Sequence, residues 1–135
     1  MKRSKKVKQG PVILTVIGTM DNVGADLVTG NANGTIAANA VTTNGDAGII
    51  TTGALSTAAD TWEAAVTVTN SKVVAGSTIL LTVNTMTGTI GTNGVPAAVV
   101  TAKATGSYTL RIGNIGTAAL SGAFTIGYRV INTVA

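Results

Sequence analysis

At 135 residues the chain is the size of one domain. Charged residues make up 10% of it, against about 25% in an ordinary soluble domain, and apolar residues make up 45%. Cysteine and histidine are both absent, which excludes a disulfide framework, a thiolate metal site, and the commonest general base and transition-metal ligand.

The first element, residues 1–9 (MKRSKKVKQ), is a basic arm: Lys2, Arg3, Lys5, Lys6 and Lys8 are five of the nine cations in the chain, with no acid among them. Residues 10–135 carry four cations against five acids, so a basic tip sits on a nearly neutral body. The run that follows, residues 11–17 (PVILTVI), is far short of the ~20 apolar residues of a membrane-spanning helix. Its length suits one strand, buried on both faces or clamped against a partner. Val12, Ile13, Leu14, Val16 and Ile17 therefore join the five cations as a candidate attachment arm. A small domain with so few charges needs a setting that covers its surface. With a membrane excluded by length, assembly with itself or a neighbouring protein is the predicted setting.

Residues 18–47 are rich in Gly, Asn, Ala and Thr, and Asn33-Gly34 and Asn44-Gly45 supply turn signals. The stretch reads equally as a linker or as a thin stem layer of strands packed on other subunits. From residue 48 a period of two sharpens. In 62–69 (WEAAVTVT), Trp62, Ala64, Val66 and Val68 alternate with Glu63, Ala65, Thr67 and Thr69. Residues 77–84 (STILLTVN) are apolar enough for a central strand, and 97–103 (AAVVTAK) form another. In 107–112 (SYTLRI), Tyr108, Leu110 and Ile112 share a face. In 123–131 (AFTIGYRVI), Phe124, Ile126, Tyr128 and Val130 do so. Ser56–Ala65 is the one helical contender and earns at most a short turn, since it lacks a sustained 3.6-residue stripe. Close strands without helices predict an all-β antiparallel sandwich over 48–135, its core served by Trp62, Tyr108, Phe124 and Tyr128.

Catalytic constellations are weak. Asp60 and Glu63 are a close pair of carboxylates, but they lie at a strand entry, where a solvated edge is expected rather than a cleft with split pKa values. The glycines of G-T-N-G (91–94) and G-N-I-G (113–116) do not open a helix after a strand, as a phosphate cradle requires. Ser and Thr lack histidine as activating base, and Lys72 and Lys103 read as surface lysines. The chain is expected to be no enzyme and to use no cofactor or metal.

Residues 50–131 resemble a group of small tailed-phage virion proteins, the capsid-decorating and head-fibre-like structural proteins. The resemblance rests on the segment from Thr69-Asn70-Ser71 to Leu80, the Gly94-Val95-Pro96 turn, the strand from Gly106 to Asn114, and the closing segment from Ala118 to Ile131. It implies a jelly-roll-like sandwich, commonly trimeric, located in the virion and partnered by a capsid or fibre neighbour. The basic arm then straps the protein to an acidic protein surface. A second reading makes the chain a coat protein whose arm binds packaged nucleic acid, though no aromatic lies among the cations to stack on bases. A third is a secreted adhesin or pilus-like subunit, with residues 2–8 as the positive region of a signal, 12–17 as its apolar core and Val23-Gly24-Ala25 as the cleavage site.

Overall fold

The computed structural model describes residues 30–133. The attachment arm, the apolar run 11–17 and the signal-like cleavage site lie outside them. The described residues form eleven strands and no helix: β1 (Gly34–Thr35), β2 (Ala40–Thr42), β3 (Ala47–Thr51), β4 (Leu55–Thr57), β5 (Thr61–Trp62), β6 (Val66–Thr69), β7 (Thr78–Met86), β8 (Pro96–Ala104), β9 (Ser107–Asn114), β10 (Leu120–Gly122) and β11 (Phe124–Ile131).

Three sheets result. The first runs β1-β3-β11-β7; the second joins β2 to β6 and β6 to β9, with β5 and β8 also on β9; the third pairs β10 with β4. Their packing follows from the two strands whose alternation is cleanest. On β9, Tyr108, Leu110 and Ile112 point inward; on β11, Phe124, Ile126, Tyr128 and Val130 do. These seven belong to one buried cluster with Ile50 of β3, Val41 of β2, and Val66 and Val68 of β6, so the two larger sheets share a core. Each such side chain contributes about 1.5–3 kcal/mol on burial, and β9 and β11 are the interior strands that concentrate them.

Turns are set where the backbone must leave ordinary φ. β8 and β9 register as Ala104 opposite Ser107, so Thr105-Gly106 is a two-residue turn, and Gly106 takes φ of +87°, which favours glycine. Asn70 ends β6 and is fully buried. Its amide donates to Gly45 O at 2.8 Å and its carbonyl accepts from Lys72 N at 2.9 Å.

The structure departs from the sequence-based expectations in four places. The sheets are mixed rather than antiparallel: β1 pairs parallel with β3, and β2 parallel with β6. A tight turn causes this. Ala37 and Ala40 bridge each other, Ala38 and Asn39 adopt positive φ, and the chain passes from one large sheet to the other. Residues 30–47 thus hold β1, β2 and the start of β3, each paired within the same body. The apolar run 77–84 falls on β7, which has a single strand neighbour, β11, and is an edge rather than a central strand. Trp62 is 40% exposed instead of inside, because β5 covers just two residues at the far end of β9. Ala64 is exposed as well. The helical contender, by contrast, forms no helix and holds a short turn at 59–60, between β4 and β5.

Two tyrosine hydroxyls are buried with the core. Tyr108 Oη has no hydrogen-bond partner among the described residues, and burial, with the nearby Tyr128 second, pushes its pKa far above the ordinary value of 10.0. Tyr128 Oη donates to Ala32 O at 2.7 Å, and burial raises its pKa too. The raised folded-state value fixes the sign: stability is flat below about pH 10 and falls as pH rises further, because the unfolded chain ionises where the folded one resists. Urea unfolding from pH 7 to 11.5 should show a level unfolding free energy that drops above pH 10, by about 1.4 kcal/mol per pH unit for Tyr108 alone. Tyrosinate absorbance should rise with unfolding and not before it.

Candidate assembly surfaces

The outer face of the first sheet alternates with its core face. Gly127 of β11 lies between Ile49 of β3 and Thr82 of β7; two residues on, Arg129 lies between Ala47 and Leu80. Gly127 lines an open depression of about 830 Å³ that runs from Asn31 and Asn33 across β3 and β11 to Leu80 and Thr82. The incoming chain is tied to its rim: Asp46 N donates to Gly30 O at 2.8 Å, Ala32 N to Ala47 O at 3.0 Å, and Ile49 N to Asn33 Oδ1 at 2.8 Å.

β7 bounds this face. On the outer side Leu80 is 51% exposed. On the inner side Ile79, Leu81, Val83 and Met86 are only partly buried against the core. Its nine residues include no charge and no proline. β8, the edge of the second sheet, differs. It opens on Pro96, carries Lys103, and shifts register between Val100 and Ala102, all devices that discourage further pairing. Lys103 Nζ also reaches across to Ser77 O, just ahead of β7.

The catalytic candidates disperse. Glu63 accepts from Thr57 Oγ1, and its backbone carbonyl accepts from Arg111 Nε and Nη2 at 3.0 and 2.7 Å. Asp60 sits in a turn with φ of 52°. No group of three or more Asp, Glu, His or Cys side chains gathers among the described residues. The glycine motifs are loop architecture around a residue that pattern reading overlooked. Asn114, fully buried, accepts from Val95 N and Gly116 N, each at 3.0 Å, and donates to Ala118 O at 2.8 Å and towards Thr57 O and Ala58 O. It joins the end of β9 to three loops. An asparagine closing an apolar strand just ahead of glycine was the available signal.

The ten candidate arm residues, Lys2, Arg3, Lys5, Lys6, Lys8, Val12, Ile13, Leu14, Val16 and Ile17, lie outside the described residues. No protein-family model, curated protein or solved structure matches the chain.

Asn114→Ala should destabilise the protein by about 2–4 kcal/mol in urea, since it strips partners from several buried backbone groups at once. Asn114→Asp, which keeps the acceptor but turns a second oxygen towards three carbonyl oxygens in a buried site, should destabilise at least as much.

Proposed function

We propose that this chain is a non-enzymatic structural component of a tailed-phage virion, a capsid-decorating or head-fibre protein. Its body is a jelly-roll-like sandwich that assembles with copies of itself, as a trimer in the related-looking proteins, and its N-terminal arm fastens it to the shell. The observation that carries this reading is the division of charge. Five cations stand in the first nine residues, while the remainder is close to neutral. A neutral, charge-poor body suits a packed assembly, and a local cluster of like charge suits attachment to an acidic surface. The open β7 edge adds support, because a long uncharged edge is suited to pairing with another chain. The resemblance over residues 50–131 supplies the virion setting.

The same five cations favour one competing reading, an arm that binds nucleic acid. Five neutralised phosphates give a slope of log affinity against log salt of about −4 to −5 on duplex DNA. The two readings separate in one pair of experiments. Co-sedimentation with virion shells should retain the full chain and lose the chain lacking residues 2–8, and filter binding to DNA should be weak with a slope near zero. Shell binding that survives deletion of 2–8 contradicts the proposal. A slope near −4, with no shell binding, favours the coat-protein alternative.

A further inference from the structure

The first sheet has two dissimilar edges. At one, the chain enters: residues Gly30–Ala32 lie beside Ala47 of β3, followed by the two-residue β1. At the other stands β7, paired on one side only. Alternate N–H and C=O groups of β7 therefore point away from β11, over nine residues without charge or proline and without a ladder to β8, the strand of the other sheet that runs near it. Each of those groups seeks a partner. The bulge near Thr85 affects one end and leaves Thr78–Val83 regular.

The apolar character of β7 defines what fits beside it. An edge wet on one face calls for a strand of alternating pattern. β7 shows Ile79, Leu81 and Val83 half-covered inside, and outside Leu80 half-exposed between Thr78 and Thr82, so a matching strand needs an apolar inner face and an apolar side chain to lie over Leu80. Residues 12–17 (VILTVI) supply both: in an extended strand Val12, Leu14 and Val16 would share one face, and Ile13, Thr15 and Ile17 the other. Like β7 they carry no charge, and they contain no proline.

We infer that residues 12–17 of one copy add as a strand to the β7 edge of a second copy. This deepens, and rests on, the reading of the chain as a self-assembling unit. Main-chain bonds hold the added strand, and its two sets of side chains complete the inner seam and cover Leu80. The position of the entry point selects a second copy over the same chain. Gly30 lies at the edge opposite β7, roughly 14 Å away across three strand spacings. Within one chain the run would have to carry residues 18–29 past β3 and β11 to reach β7. Between copies it leaves one edge and arrives at the next copy's opposite edge without that crossing. Residues 18–29 extend to roughly 40 Å, ample for the link. Donor and acceptor are different surfaces, so the contact is head-to-tail and closes into a ring when the rotation allows.

The absence of cysteine makes the test clean. Chains carrying only Leu14→Cys are mixed with chains carrying only Leu80→Cys or only Thr82→Cys and oxidised, two acceptor positions being used because the register is open. The expected product is a covalent dimer of the two different chains, formed as well when the Leu80→Cys or Thr82→Cys chain lacks its own residues 1–17, because the acceptor contributes only its β7 edge. In parallel, native mass spectrometry should show the full chain as an oligomer, and as a single chain after deletion of 1–17 or after Leu80→Lys, with the circular dichroism of each variant unchanged. Leu80 is half-exposed, so the charge disturbs the edge rather than the core. Four results overturn the inference: a monomeric parent, an oligomer that survives both changes, a disulfide confined to single chains bearing both substitutions, or no disulfide at either position. A full chain that forms the oligomer but does not co-sediment with shells counts against the virion reading and leaves the strand exchange standing.

Discussion

Tyr108, Leu110 and Ile112 of β9 share one buried cluster with Phe124, Ile126, Tyr128 and Val130 of β11, and the rest of the body is arranged around that contact. The chain has four aromatic residues and many small ones, so it cannot fill a thick interior. A shared core between two sheets, about 10 Å deep, is the layout this composition can pack. Once β9 and β11 occupy the interior positions, every other strand becomes a flank. β3 and β6 flank them inside, β2 and β1 finish the short edges, and β7 and β8 are left on the outside of their sheets.

The two long edges carry different chemistry, and that difference links fold to function. β8 is shielded by Pro96, Lys103 and a register shift, whereas β7 has none of these. Side chains that would be core elsewhere, Ile79, Leu81 and Val83, are half-covered on β7. A charge-poor surface and an unshielded edge are the same problem at two scales, since both leave groups that another chain must cover. The chain outside the described residues holds a segment of matching character, 12–17, and a cluster of cations that suits attachment rather than self-pairing.

Much of this fold was legible. The period-two pattern of 107–112 and 123–131 placed seven core side chains on the correct face, because on an interior strand one face is buried along its whole length. The same pattern misplaced Trp62: 62–69 reads as one strand, but residues 63–65 separate β5 from β6, and Trp62 lies against Gly113 at the rim. The apolar run 77–84 looked central, because apolar content alone does not distinguish a strand enclosed by neighbours from one awaiting a partner. Asn70 and Asn114 were invisible to hydrophobic patterning, which scores them as turn residues, though their amides hold loops that are distant in sequence. The parallel pairings of β1 and β2 depend on a turn at 37–40 containing Ala38 at positive φ, which alanine does not advertise. The candidate arm was legible as charge and apolarity alone.

Amide hydrogen exchange along β7 addresses the central claim most directly, by comparing the full chain with one lacking residues 1–17. If the edge is occupied by the N-terminal run of a second copy, the alternate amides of Thr78–Met86 that point away from β11 are protected in the full chain. On truncation they exchange as exposed amides do, while those bonded to β11 stay protected. Rapid exchange at the outward amides in the full chain, or protection that truncation does not change, contradicts the account.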